Sequence, residues 1–254
     1  MKRFLAYGLL GLAAFLIFLA LAAPATLLTD QIGARLPGFS AQAVEGTATE
    51  GAMLGASWRG VRVERLSWRW RPLALFAGRL EFHLKADDPE IKLTGNAALG
   101  LDRQTRVRDL VGRLPLTKFG NLAGSAKPPL DGLADIELSE LVLSPAGRPL
   151  AARGAIRLRN LRVVLGQPLN LGDHAVQLDS PQGTEGVRGQ VKDSGGPLAL
   201  EGTLNLLPDG RYRLTGQAGI RDASNPALRQ AMNLLGPPGG DGRWALNFSG
   251  VLAP

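Results

Sequence analysis

The sequence predicts an all-β protein. An amino-terminal transmembrane helix comes first. A mostly antiparallel, curved or sandwich-like β domain of about ten or more strands follows, with one short helix near the carboxyl terminus. Three observations predict this. Apolar residues recur with period two along most of the chain, which is the spacing of a half-buried strand. Glycine and proline contribute 33 and 17 of the 254 residues, which favours many short elements joined by turns. One long uncharged run stands at the amino terminus, and only there.

That run extends from Phe4 to Leu28. As a helix it covers roughly 37 Å, enough to cross a bilayer with some tilt. Phe4, Leu10, Phe15, Phe18 and Leu21 are its membrane-anchoring side chains. Lys2 and Arg3 precede it and the next basic residue is Arg35, so the positive-inside rule keeps the amino terminus in the cytoplasm. The remainder then lies across the inner membrane, which in a two-membrane cell is the periplasm. A cleaved signal peptide has a shorter apolar region, although Ala20–Ala25 offers the small residues that a peptidase accepts. The expected organisation is a cytoplasmic tip and anchor over 1–28, a linker over 29–44 and a β-rich domain over 45–254.

Beyond the linker the strands follow in order. Gly78–Ala86 and Glu90–Leu101 alternate around the turn Asp87–Pro89. Thr105–Leu114 reads as either a strand or a short helix. Ala134–Ser144, Gly154–Leu165, Leu198–Leu207, Arg211–Ile220 and Arg243–Leu252 alternate or nearly so, each bounded by Gly, Pro, Asp or Asn. Leu207–Leu214 carries Asp209-Gly210 between two alternating runs, a strong hairpin signal. Asp241-Gly242 repeats that turn. The exception is SNPALRQAMNLLG, in which Ser224 or Asn225 caps a helix that has Pro226 at its first position. Leu228, Met232 and Leu235 share one face of it, and Gly236 follows its end.

Little in the chain suggests catalysis. With no cysteine there are no disulfides, thiolate nucleophiles or sulfur-ligated zinc sites. His83 and His174 each stand alone, without a second ligand at metal spacing. Asp87, Asp88 and Glu90 lack the spaced oxygens of a calcium loop and read as a solvated turn. The glycine-rich stretch Gly236–Gly242 leads into a strand and lacks the Lys-Ser/Thr of a phosphate loop. The sequence predicts no enzyme and no cofactor.

The net charge of +7 is unevenly placed. From Ser57 to Leu80 six arginines face one acid, Glu64. In a strand, Leu66, Trp68 and Trp70 point one way, whereas Arg65, Arg69 and Arg71 point the other. A single-stranded nucleic-acid platform needs aromatics and cations on one surface, so nucleic acid is not the expected partner. Arg65, Arg69 and Arg71 form instead a candidate basic interaction face. Val61 and Val63 have the opposite parity from Leu66, Trp68 and Trp70. If both sets face one core, a bulge or tight turn lies near Glu64–Arg65.

The stretch from Val44 to Leu84 resembles the amino-terminal signature of the type II secretion system protein N family (general secretion pathway protein N). The resemblance rests on Gly46-Thr47 and Gly51, then Trp68, Pro72-Leu73 and Gly78-Arg79-Leu80. Thr49 departs from versions of the pattern that carry an aromatic there. Gly196–Leu252 resembles the family's closing block, with Asp209-Gly210 in its hairpin, Gly236 after its helix and Asp241-Gly242 before its last strand. The resemblance covers most of the chain. It implies a non-enzymatic secretion component in the inner membrane, with a periplasmic scaffold domain that supports export of folded proteins across the outer membrane. Its partners would be other components of the inner-membrane platform or the periplasm. The alternative is an envelope lipid-binding or lipid-transfer module of AsmA-like β architecture. Its mark would be a continuous row of uncapped Leu, Val and Trp side chains on one concave face.

Overall fold

In a computed structural model of the chain, the described residues are 7, 8, 11, 15, 22–26, 38–58, 60–118, 130–165, 167–180, 186–222 and 225–251. Among them is a single 13-stranded sheet whose strand order is the sequence order. The first half comprises β1 (Ala43–Gly46), β2 (Glu50–Trp58), β3 (Val61–Trp70), β4 (Arg79–Asp87), β5 (Lys92–Gly100), β6 (Thr105–Pro115) and β7 (Leu130–Leu143). The second comprises β8 (Pro149–Leu165), β9 (Gln167–Asp179), β10 (Val187–Asp193), β11 (Leu198–Leu206), β12 (Arg211–Ile220) and β13 (Trp244–Val251). Every strand is antiparallel to its neighbours. The architecture is therefore one open meander and not a sandwich. Period two specifies that one face is apolar, but not what covers that face.

Thr105–Leu114 is a strand, β6. β9 changes parity at Gly172 and escapes a periodicity reading, whereas β10 alternates over only seven residues. β9 turns at Gly172 with φ +88°, and its inward row contains His174. The proline after β3 opens a 3-10 turn, Pro72–Ala77, which closes on Gly78 at φ +66°.

The two faces are chemically distinct because side chains alternate and the register is kept. One row runs Leu93, Gly112, Ile136, Ile156, Val176, Val191, Gly202, Gly216 and Leu246, each paired across the ladder with the next. A parallel row runs from Leu110 through Leu138, Gly154, Leu178, Gly189, Leu204 and Leu214 to Phe248. Neither row contains a charged residue. Irregularities hold this face apolar where the sequence parity flips. β6 carries an extra residue at Asp109 (φ +51°), and β7 carries one at Ser139. β8 carries another at Asn160 (φ +49°). Such bulges re-aim the strand without ending it.

The break expected near Glu64–Arg65 lies there, in another form. The offset between β2 and β3 stays constant on both sides, so no residue is inserted. The pair Gly55/Glu64 drops out of the ladder instead. Gly55 has φ +60°, and the Glu64 N–H donates to Asp88 Oδ2 at 3.0 Å. Val61 and Val63 then pack with Ile91 and Leu93, whereas Leu66 joins the cluster of Trp68.

The opposite face is a ladder of ion pairs. Asp135 on β7 is held between Arg113 on β6 at 2.6 Å and Arg159 on β8 at 2.5 Å. Arg157–Glu137, Arg153–Glu140 and Arg162–Asp131 repeat the pattern between β7 and β8. On the other side of the sheet, at the end of the row of Gly189 and Val191, Arg221 contacts Asp193, whose carboxyl also accepts the N–H groups of Leu200 and Gly195. Arg221, ahead of those bonds, holds the Asp193 pKa down at about 2.

A helix, α1 (Pro226–Asn233), closes one end of the apolar face. Asn225 caps it by accepting the Leu228 N–H at 3.0 Å. Leu228 and Met232 are buried against Leu198, Ala218, Trp244 and Leu246. Leu235 does not share that face, because α1 ends at Asn233 and leaves it exposed.

Phe4, Leu10, Phe18 and Leu21 lie outside the described residues. Positions 7, 8, 11, 15 and 22 are helical, and Phe15 is exposed. Among the described residues no helix is long and apolar enough to cross a membrane.

The Asp135 carboxylate is nearly buried between two half-exposed guanidiniums. Asp135→Asn is expected to lower unfolding free energy by ~1–3 kcal/mol, the range for hydrogen bonds to charged groups. Urea denaturation of the full chain measures it, and an unchanged midpoint would show that water replaces the carboxylate at no cost.

Candidate functional site

Residues singled out in the sequence converge at the β1 end of the sheet. β1 and β2 are joined by a tight hairpin. Its Thr47 N–H donates to the Glu50 carbonyl at 2.8 Å, and Thr47 Oγ1 accepts the Glu50 N–H at 3.2 Å. Thr47 and Thr49 hydroxyls are 2.9 Å apart, so Thr49 closes the turn through a hydrogen bond at the position where an aromatic was expected. Gly46 takes φ +89°. Trp68 on β3 lies across this hairpin, and its indole N–H is shared between the carbonyls of Thr47 and Ala48 at 3.2 Å each. Gly51 is required beneath the ring, because a Cβ there would stand 2.5 Å from Trp68 Cζ2 and 2.4 Å from the Glu45 carbonyl oxygen. Ala52–Ser57 is the body of β2, paired along β3.

The chain's own amino-terminal segment covers the outer edge of this hairpin. The Ala25 N–H donates to the Gly46 carbonyl at 3.3 Å, and the Ala48 N–H donates to the Ala23 carbonyl at 2.8 Å. Ala25 is buried in the same cluster as Met53, Ala56 and Trp68.

The second signature block builds a counterpart at the other end. Asp209 Oδ1 accepts the Arg211 N–H at 2.9 Å and Oδ2 accepts Arg211 Nε at 2.6 Å, with Gly210 at φ +87°. Asp241 accepts the Arg243 N–H at 3.1 Å, and Gly242 has φ +74°. Trp244 is buried, and its indole N–H donates to the Gly236 carbonyl at 3.0 Å. Gly236 lies beyond the helix, which is capped at Leu234, and Trp244 is not among the residues that the sequence singles out. The available signal was a tryptophan at an inward strand position eight residues after that glycine.

Arg65 and Arg69 lie on the charged face as parity requires, and both are exposed. Arg69 pairs with Glu50 at 2.7 Å, and Arg71, just beyond β3, pairs with Glu81 at 2.9 Å. Arg65 and Arg69 flank a shallow groove of 460 Å³ that also presents Lys85, Glu45 and Glu50. Its charge is thus mixed, and Arg69 is paired there with Glu50.

His83 is exposed, with Nδ1 2.9 Å from Asn96 Oδ1. Among the described residues no group of three or more His, Asp or Glu is placed to hold a metal ion. His174 is buried on the apolar side, and neither ring nitrogen has a well-aligned hydrogen-bond partner. Burial pushes its pKa below the ordinary value, outweighing the Gly172 carbonyl and the charges of Asp193 and Asp173. Unfolded, the imidazole takes up a proton near pH 6.5. Folded, it resists, so its contribution to stability is complete above about pH 6.5 and is lost as pH falls through that region. His174→Leu is expected to flatten the fall in Tm between neutral and mildly acidic pH. An unaltered pH slope in the variant would clear His174 of that role.

A family described as type II secretion system (T2SS), protein N, matches residues 37–247 of the chain. The chain is 26% identical over 277 residues to the type II secretion system protein N of Vibrio cholerae serotype O1, covering 99% of this chain and 100% of that relative. It is 31% identical over 238 residues to the type II secretion system protein N of Klebsiella pneumoniae, covering 90% of this chain and 88% of the relative. No solved structure matches.

Proposed function

The chain belongs to the type II secretion system protein N family and is a component of that secretion system, and from this premise we propose a non-enzymatic scaffold anchored in the inner membrane. Its periplasmic sheet recruits another component of the machinery by strand addition, supporting export of folded proteins across the outer membrane. The observation that carries this reading is the asymmetry of the two sheet edges. At the β1 edge, residues 23–25 of the same chain pair with the hairpin end, Gly46–Ala48, and β1 itself is only four residues long. The β13 edge, eight residues long, pairs only with β12 among the described residues. An exposed strand of that length is a template for a further strand unless something covers it.

The anchor reading draws on the same contacts. The uncharged run behind Lys2 and Arg3 leads directly into Ala23 and Ala25, and both are hydrogen-bonded to the sheet. The retained anchor is favoured by the length of the uncharged run, Phe4 to Leu28, which exceeds the apolar region of a cleaved signal.

Asn247 and Ser249 are exposed on β13. Replacing both with lysine places charge along the edge, a device that blocks edge-to-edge pairing. The double variant, expressed as the full chain in secreting cells, is expected to keep its abundance and Tm. It should co-purify severalfold less of the secretion components and export less protein. Undiminished co-purification would remove β13 as the interface. Unaltered export after deletion of the gene would count against the scaffold role itself.

A further inference from the structure

The connections of a meander alternate between its two ends. Those after β1, β3 and β5 therefore share one end, and those after β2 and β4 share the other. Over these strands the two ends differ in kind. At the second end the connections are Arg59-Gly60 and Asp88-Pro89-Glu90-Ile91, and the large apolar residue there, Ile91, is buried. At the first end stands the 3-10 turn Pro72–Ala77, which buries none of its residues. Leu73, Leu75 and Phe76 on it are 78%, 51% and 91% exposed. Leu101, just after β5, is 92% exposed, and its Cδ1 would stand 3.6 Å from a Cβ at Gly78, so it borders that turn. Leu80 and Leu99, paired across β4 and β5 near this end, are exposed as well. A contiguous apolar rim of this kind marks a surface that meets a membrane or another protein.

The place where the amino-terminal segment joins the sheet decides between the two. The Ala48 N–H donates to the Ala23 carbonyl at 2.8 Å and Pro24 bridges to Thr47, so the segment meets the β1–β2 hairpin, at the first end. From the hairpin the bonds step towards the rim. The Trp70 N–H donates to the Thr49 carbonyl at 2.6 Å, and the Arg71 N–H donates to the Glu81 carbonyl at 2.8 Å, immediately before Pro72. Neighbouring strands are about 4.8 Å apart, so the rim over β3–β5 lies roughly 10–15 Å from the hairpin. In the anchored reading the uncharged residues ahead of Ala23 occupy the bilayer. As a helix, residues 4–22 would rise roughly 28 Å, about the thickness of the hydrocarbon core. No residues are then left for a spacer, and this end of the sheet is held against the membrane surface. The acids bordering the rim, Glu81 and Asp102, are engaged by Arg71 at 2.9 Å and Arg106 at 2.5 Å, and Arg103, in the turn of Leu101, is exposed. Lipid phosphates would thus meet cations at the rim and no bare carboxylate.

We propose that the Pro72–Ala77 turn and Leu101 dip into the interfacial layer of the leaflet from which the anchor emerges, seating the sheet end-on against the bilayer. This rests on the anchored reading above and adds a second contact to it.

The chain has no cysteine, so single cysteines can be introduced and labelled without a background. Leu73→Cys and Phe76→Cys report on the rim, and Pro89→Cys reports on the opposite end. Each full-length variant, carrying an environment-sensitive dye, is reconstituted alone into vesicles of phosphatidylethanolamine and phosphatidylglycerol. A fraction of the lipid bears a nitroxide quencher high on its acyl chain. Flotation of the vesicles after carbonate extraction reads the anchor on the same samples. Quenching at positions 73 and 76 is expected severalfold above that at 89. Phe76→Asp with Leu101→Asp should lower the quenching at 73 severalfold while flotation and Tm hold, because both side chains are more than nine-tenths exposed. Equal quenching at both ends, or none at 73 and 76, in protein that floats overturns the proposal and leaves the anchor standing. Loss of flotation overturns the anchor and the proposal with it. Protection of position 76 from maleimide in secreting cells, without quenching in the vesicles, assigns the rim to a protein partner and overturns the proposal as well.

Discussion

Each strand of this sheet finds its partners among its immediate neighbours in sequence, and every other feature depends on that constraint. Antiparallel neighbours joined by short turns leave no crossover to return the chain over the sheet. The apolar face is therefore not buried by a second layer from the same set of strands. It must be closed locally, at its ends, or be left partly open in the middle. The structure does both. α1 covers the β11–β13 end, and the segment around Ala25 and Phe39 covers the β2–β4 end.

The two closures share a device. At each end a buried tryptophan packs inward and directs its indole N–H to a carbonyl of the adjoining loop, Thr47 and Ala48 for Trp68 and Gly236 for Trp244. A large ring supplies buried area where the sheet alone has little, and its polar end fixes the loop that would otherwise fray. The glycines of the signature follow from the same geometry. Gly51 makes room for the ring, and Gly46 takes a backbone conformation that a side chain resists. In this chain these residues thus record how the sheet is terminated.

Much of this was legible in the sequence. Period-two alternation gave β4, β5, β7, β8, β11, β12 and β13, and Asp209-Gly210 gave the hairpin between β11 and β12, because those patterns are local. The parity conflict between Val63 and Leu66 correctly located an irregularity, but parity does not distinguish an inserted residue from a dropped pair. β9 was not legible, since its parity changes at Gly172 and His174 stands in its inward row, and β10 alternates over too few residues to stand out. The choice between a single sheet and a sandwich lay outside any local pattern. The basic face was legible as segregation of Arg65 and Arg69 from Trp68. Its neutralising partners Glu50 and Glu81 were not, because both come from other strands.

The contrast between the two faces bears on how such a protein can join an assembly. Part of the charged face is neutralised by cross-strand pairs such as Arg113–Asp135–Arg159, so those arginines are committed before a partner arrives. A partner competing for them must break existing pairs, and exposed pairs add little affinity of their own. Groups with unmet demand lie in the backbone along β13 and in the aliphatic groove over β3–β6. Recognition should therefore concentrate at the edge and the rim of the sheet. The broad charged surface, which dominates a first reading of the sequence through its arginines, carries a cross-strand ion-pair ladder centred on β6, β7 and β8.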